Sequence, residues 1–384
     1  MMKIECIKTH HVRCELQQPF GFSQWSYNQR NVLLVEVITD TGLSGWGECY
    51  GPADVIQGAI EKFYAPRILA MDALGTDAIW HHMWRASLDF SRSGIMMAGM
   101  SGIDMALWDL KGKALNVSVS QLMGGKLRDR IDCYATGMYF QDLPEQMLLK
   151  VLVEEAIGYA EQGYKAMKIK VGKNPDFDEQ LIVAMRQALP NTILAADSNH
   201  AYDLPEAIRI AKVLEQHNYV WFEEPLSPEH PELFRQLQDQ TSVAIATGEC
   251  EQTRYGFQRL LKTGGVQLVQ ADLAYCGGPS EALKIRALAS AQGLNMIPHV
   301  WGTQLNLAAA VHFLATAYPE PGRAEEKKLL LEYDRTENPL RDQLYTRNIS
   351  VVSGQAIVPS EPGLGVQIDL DMLKEFNVST TETL

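Results

Sequence analysis

Apolar and polar residues alternate along the first fifty positions, and a longer period takes over after them. Residues 31–37 (NVLLVEV) and 43–49 (LSGWGEC) read as two strands of a hairpin, because Thr39-Asp40-Thr41-Gly42 between them has the Asp/Gly chemistry that reverses a chain. Helical spacing follows in 56–63 and in 102–114. In the second of these Ile103, Leu107 and Leu110 fall on one face of an amphipathic helix that stops before Gly124-Gly125. A small α+β domain is therefore expected over residues 1–128.

From residue 133 onward eight short apolar runs alternate with segments of helical composition. The runs are 133–137, 166–172, 193–199, 219–225, 243–249, 268–273, 295–302 and 329–334; the helical stretches include 144–162, 178–189, 204–218 and 279–292. Repeated strand and helix with near-continuous apolar strands is the mark of buried parallel β-structure. Eight such units in about 200 residues fit a TIM-type α/β barrel better than an open doubly wound sheet, and no GxGxxG follows the first strand. The tail has strand-like stretches at 349–352, at 354–358 and from Gly363, expected to return to the N-terminal domain.

Composition narrows the class without changing the fold. With 46% hydrophobic and 21% charged residues among 384, the chain is neither collagenous nor low-complexity nor largely disordered. Its formal charge of −13 repels phosphate backbones and anionic lipid, so neither nucleic acid nor membrane is expected as a partner. The first fifteen residues carry charges throughout and lack the apolar stretch of a signal peptide. The most apolar later run, 308–317, is too short to span a bilayer and contains His312. Six scattered cysteines without a CxxC pair fit reduced thiols in a cytoplasmic protein.

In a barrel of this type the strand ends converge on one face, and here each predicted strand is read as ending in a polar or charged residue. Asp197, Glu223 and Glu249 recur at intervals of 26 residues, which puts one carboxylate at the end of each of strands three, four and five. Three adjacent carboxylates repel one another, and a hard divalent cation such as Mg2+ relieves that repulsion. Lys168 and Lys170 share a strand face; two inward ammonium groups lower each other's proton affinity, making one of them available as a neutral base. Across the mouth Asp272 ends strand six and His299 strand seven, a pairing in which the carboxylate can orient the imidazole as a second base. A metal pocket with a base on each side suits removal of a proton next to a carboxylate, the metal stabilising the enediolate that forms.

On these residues the sequence resembles, over nearly its whole length, the mandelate racemase and muconate lactonising subgroup of the enolase superfamily. The resemblance implies a (β/α)7β-barrel over 129–345, an α+β capping domain over 1–128, and a segment 346–384 that returns to the cap. It implies Asp197, Glu223 and Glu249 as metal ligands, Mg2+ or else Mn2+ as the cofactor, and Lys170 as the base of the Lys168-Ile169-Lys170 run. It further implies Asp272 and His299 as a dyad and Glu332 in LLLEYD as a hydrogen-bond donor to the substrate carboxylate. The motifs SGIDMALWDLKGK, CYATG, DSNHAY, WFEEP, QADLAYCGG, PHVWGT and EYDRTENPLR are similar to the sugar-acid cycloisomerases of the subgroup, acting on galactarolactone or 3,6-anhydro-L-galactonate. Such enzymes take the proton alpha to the carboxylate and expel a ring oxygen to give a 2-keto-3-deoxy acid; acid-sugar dehydratases use the same pocket and expel water. A small sugar acid as ligand and a homo-oligomer are implied as well.

Cap loops 19–30 and 47–55 match those that close over the mouth in this family. Phe20, Phe22 and Trp25 are then expected to exclude water, and Ser23, Gln24 and Arg30 to meet hydroxyls or a second carboxylate. Asn199 and His200, just past Asp197, and Trp301, just past His299, are candidate substrate contacts; His200 reads equally as a solvated loop residue and Trp301 as barrel packing. Three other classes stay open. A Schiff-base aldolase on Lys170 has no use for three phased acids, a glycosidase using Glu223 with Glu224 or Glu249 leaves the lysines unexplained, and a sugar-acid binding protein does not need two bases.

Overall fold

The protein is described here by a computed structural model that covers residues 2–322 and 327–384. Three antiparallel strands, β1 (Ile4–Gly21), β2 (Ser26–Thr39) and β3 (Ser44–Cys49), open the chain. The expected hairpin is the β2/β3 pair, with Leu33 opposite Cys49 and Ile38 opposite Ser44. Its first strand is longer than expected and pairs along its other edge with β1. Helices α1 (Ala53–Ala59), α2 (Ala65–Ile68), α3 (Thr76–Ser87) and α4 (Ile95–Leu115) cover one face of this sheet, α1 and α2 being joined by a π-helical turn over Ile60–Tyr64.

Helix α4 departs from the amphipathic expectation. It begins at Ile95 and is buried on nearly every side, because the cap sheet takes one flank and the barrel the other. Gly47 makes the first contact feasible: a Cβ there would lie 2.1 Å from the Gly102 carbonyl oxygen. On the barrel side Trp108 donates its indole N–H to Ser280 Oγ at 2.8 Å, and Asp104 accepts from the Ser280 hydroxyl at 2.7 Å. A helix enclosed in this way has no polar stripe for its sequence to advertise.

After α5 (Val119–Leu122), parallel strands and helices alternate through β4 (Arg130–Thr136), α6 (Glu145–Glu161), β5 (Ala166–Lys170), α7 (Pro175–Ala188), β6 (Ile193–Asp197), α8 (Leu204–Gln216) and β7 (Trp221–Glu223). They continue as α9 (Pro231–Gln238), β8 (Ala244–Thr247), α10 (Thr253–Leu261), β9 (Leu268–Val269), α11 (Gly278–Ser290), β10 (Asn295–Met296), α12 (Gln304–Ala315) and β11 (Leu331–Asp334). Strands β4 to β10 pair in sequence, and β11 pairs back onto β4, Leu331 facing Cys133. Eight strands with seven helices between them make the (β/α)7β barrel. Strands β9 and β10 are only two residues long, so Asp272 and His299 lie beyond them, joined by a separate parallel bridge.

The tail corrects the expectation that it returns as a whole to the cap. After α13 (Pro339–Asp342) and β12 (Tyr345–Arg347), the hairpin β13 (Val351–Val352) and β14 (Gln355–Ile357) extends the barrel sheet, β14 lying antiparallel to β4. This edge of β4 has unpaired backbone groups to satisfy before β11 joins it further along. Strand β15 (Gln367–Ile368) pairs with β12, and only β16 (Asn377–Thr383), after α14 (Leu370–Phe376), reaches the cap, as the outer neighbour of β1. Among the described residues no helix is long and apolar enough to cross a membrane, and all six cysteines are free.

Candidate active site

The strand ends bring the expected side chains to one buried place. Asp197 closes β6, Glu223 closes β7, and Glu249 stands two residues past β8 after Gly248, whose φ of +132° favours glycine. Carboxylate oxygens of the three lie within 4.8 Å of one another, all buried. Burial pushes Glu223 up to about 7, with Lys168 pulling the other way and neighbouring carboxylates adding to the rise. It does the same to Glu249, where Glu224 is the largest repelling charge. A buried all-oxygen donor set with this excess of negative charge fits a hard divalent cation.

The lysines do not have the lowered proton affinity expected of them. Lys168 Nζ is hydrogen-bonded to Glu223 Oε1 and lies 2.9 Å from Glu332 Oε1; Lys170 Nζ donates to Asp197 Oδ2 at 2.6 Å and to Asn199 Oδ1 at 2.8 Å. Burial alone lowers both ammonium groups, but the carboxylates outweigh it and hold both pKa values above the ordinary range. The expectation counted the repulsion of two ammonium groups and left out the carboxylates of Asp197, Glu223 and Glu332 around them.

Across the mouth His299 Nδ1 donates to Asp272 Oδ2 at 2.6 Å, a carboxylate being able only to accept, so Nε2 is turned toward Glu249 Oε2 at 3.5 Å. Burial lowers the imidazole, but Glu249 and Asp272 outweigh it and raise it to about 10. The role expected of Glu332, donation of a hydrogen bond, is not met in this arrangement. Thr136 Oγ1 donates to it at 2.6 Å, the Val300 amide at 3.0 Å, and Lys168 sits beside it. Although burial opposes the charge, Lys168 and His299 prevail and bring it down to about 2, so it is an ionised acceptor.

Above these groups lies a cavity of about 110 Å3 lined by Lys170, Asn199, His200, Glu249, His299 and Trp301 and roofed by Phe22, Gln24, Trp25, Tyr27, Tyr50 and Tyr139. It shares Trp25, Tyr27, Tyr50, Glu249, Cys250 and Trp301 with a wider cleft of about 540 Å3 under the cap. The roof is fastened to the barrel. Gly21 and Phe140 exchange two backbone hydrogen bonds, Ser23 Oγ donates to the Ser198 carbonyl at 2.8 Å, and Gln24 Nε2 to the Asn199 carbonyl at 2.8 Å. Asn199, His200 and Trp301 thus line the cavity, and Trp25 does so while 54% exposed. The Trp301 Nε1 is buried without a partner. Arg30 is not available to substrate: it is buried, donates to Asp334 Oδ2 at 2.9 Å and the Glu337 carbonyl at 3.0 Å, and stacks 4.2 Å over Trp301.

Residues 4–124 match the N-terminal domain of mandelate racemase / muconate lactonizing enzyme, and residues 151–372 match the enolase C-terminal domain-like family. The chain belongs to the enolase superfamily. Among superfamily relatives, the D-galactarolactone cycloisomerase of Agrobacterium fabrum is 36% identical over 381 residues, 98% of this chain and 99% of that protein. The crystal structure of the 3,6-anhydro-D-galactonate cycloisomerase of Zobellia galactanivorans is 40% identical, with a TM-score of 0.89 over 98% of this chain and all of that one. Its substrate name carries the D-galactonate series where the sequence resemblance pointed to the L-series. An L-talarate/galactarate dehydratase variant, solved with Mg and L-glucarate, superposes with a TM-score of 0.86 at 26% identity, covering 99% of this chain and 93% of that one.

Some supporting residues of this superfamily site carried no sequence signal. Asn306 donates to Asp272 Oδ1 at 3.2 Å, and the backbone N–H groups of Thr303 and Asn306 at the start of α12 donate to Glu48, a buried cap residue, at 2.8 and 3.1 Å. Burial pushes Glu48 up to about 7 against these hydrogen bonds. Gln270 and Trp221 hold Glu223 Oε2 at 2.6 and 3.0 Å. Amides and a cap glutamate at these positions have no periodicity that separates them from ordinary core polar groups.

Proposed function

We propose that this enzyme abstracts the proton alpha to a sugar-acid carboxylate and eliminates a ring oxygen, giving a 2-keto-3-deoxy acid after tautomerisation. The observation that carries this reading is the acid trio with Lys170 on one flank and the Asp272–His299 dyad on the other, under an aromatic roof. Asp197, Glu223 and Glu249 would hold Mg2+, or Mn2+ in its place, which supplies charge stabilisation for the enediolate and leaves less carboxylate charge to retain the Lys170 proton. Lys170 and His299 face the same cavity, so one takes the α-proton according to substrate stereochemistry and the other delivers a proton to the departing oxygen. Lys168 and Glu332 neutralise each other below them and orient the carboxylates. Asn199, His200, Trp25 and Trp301 supply the walls, with the unpartnered Trp301 N–H as a donor to a substrate oxygen. We further propose a cap of 1–128 and a barrel of 129–345, with β16 alone of the tail returning to the cap, and a cytoplasmic location.

The relatives' names favour cyclic substrates in two cases and an open-chain acid in the third, so loss of water from an aldonic or aldaric acid is the second reading. Incubating the Mg2+-loaded protein with galactarolactone and 3,6-anhydrogalactonate beside the open acids, and detecting 2-keto products with semicarbazide, separates the two. Turnover of the cyclic members alone establishes the cycloisomerase; turnover of the open acids alone makes it a dehydratase.

A further inference from the structure

The strand ends that carry the acid trio also carry a second set of side chains. Glu224 follows Glu223, Cys250 follows Glu249, and His200 stands three residues past Asp197. Their donor atoms also lie within 4.8 Å of one another: His200 Nε2 is 3.1 Å from Glu224 Oε2 and 3.5 Å from Cys250 Sγ. The Leu226 carbonyl accepts at 3.1 Å from His200 Nδ1, which fixes Nε2 as the nitrogen presented to the cluster. Glu224 is 1% exposed and its Oε1 has no hydrogen-bond partner among the described residues; Oε2 receives a long contact of 3.4 Å from Asn199 besides the imidazole, and the Cys250 thiol is also hydrogen-bonded to this carboxylate. Asn199, His200 and Glu224 all have positive φ, backbone conformations that fix where these side chains point.

We propose that His200, Glu224 and Cys250 form a second cation site, chemically distinct from the acid trio and selective for a thiophilic divalent ion such as Zn2+. Tetrahedral Zn2+ with nitrogen, oxygen and sulfur ligands at about 2.0–2.3 Å sets those atoms roughly 3.3–3.6 Å apart, close to the separations found. Thiolate and carboxylate balance the charge of the ion, and the protons displaced from the thiol and the imidazole pass to solvent. Cys250 is exposed and lines the cavity, which leaves an entry path and an open fourth position. Mg2+ has little affinity for sulfur, so the two sites sort ions by ligand type. The cluster is not arranged as a cysteine nucleophile with its base: that needs an acid on the imidazole nitrogen away from sulfur, whereas Glu224 and Cys250 share Nε2. An ion held here sits against Asn199 and Glu249 and obstructs substrate, which makes the site inhibitory.

The test is a Co2+ titration of the full chain in excess Mg2+, following thiolate-to-cobalt charge transfer in the near ultraviolet. One equivalent with a thiolate band that Zn2+ displaces, and loss of the band in Cys250→Ser and Cys250→Ala of unchanged circular dichroism, is the expected result. Zn2+ inhibition of turnover should weaken by about tenfold or more in the same variants. No band in the parent protein, or a band that survives both substitutions, overturns the proposal. Oxygen ligands give no thiolate band, so that failure leaves the reading of the acid trio untouched.

Discussion

The two flanks of the mouth hold their bases in different ways. On the lysine side Lys170 belongs to a barrel strand whose ladder to β6 sets Lys170 opposite Asp197, so the backbone itself places the base. On the histidine side the strands end early, and His299 depends on a relay: the imidazole on Asp272, Asp272 on Asn306, and the start of α12 on Glu48 of the cap. One base is fixed by strand register within the barrel, while the other is positioned by contacts between domains. Register is rigid and local; the relay makes the histidine flank sensitive to changes far from the cavity.

The most severe disruption should remove what both flanks share. Glu249→Gln, or chelation of the divalent ion, is expected to take turnover below detection while the circular dichroism stays native; activity retained in chelated protein would defeat the metal role. Next come the flanks singly. Lys170→Ala and His299→Asn should each lower kcat by about 10²–10⁴-fold, and solvent-deuterium incorporation at the α-carbon should be lost in only one of them. If neither slows exchange, the assignment of two bases is wrong. A smaller change tests the relay: Glu48→Gln should lower kcat by roughly tenfold with KM little altered, and should slow only the step assigned to His299. Equal slowing of both steps would reduce Glu48 to a packing residue.

The last effect, silent at neutral pH, is one of acidity on α12. Ser120 N–H donates to His312 Nδ1 and His312 Nε2 donates to the Leu364 carbonyl, so the imidazole is neutral and burial lowers it to about 4. Its folded pKa lies below the unfolded value, so the unfolded chain binds the proton more readily. The contribution is therefore complete above pH of about 6.5 and fades as pH falls toward 4, a loss of about 3 kcal/mol. Urea unfolding of His312→Gln beside the parent should show the parent alone carrying this slope.

The contrast also explains what could be read in advance. Asp197, Glu223 and Glu249 were legible because strand and helix lengths repeat, and a carboxylate at constant phase stands out from any one acid. Lys168 and Lys170 were legible by strand alternation, though their charge state was not, since it depends on carboxylates brought in from β6, β7 and β11. Arg30 was misread because Asp334, its ion-pair partner, lies 304 residues away, and nothing local distinguishes a buried arginine from one facing a ligand. Helix α4 was read short because enclosure on both flanks removes the polar face that periodicity detects. The tail was misread because strand-like patterning does not say which of two open sheet edges a strand will take.

Strand β16 carries a consequence for biosynthesis. Thr9 and Thr381 touch across 372 positions of sequence, so during translation the outer edge of β1 stays bare while the entire barrel emerges from the ribosome. A nascent cap therefore exposes a long strand edge of the kind that recruits other chains, and chaperone capture or aggregation should be concentrated in that interval. A chain truncated before residue 377 should be held by chaperones more strongly than the released chain that carries β16.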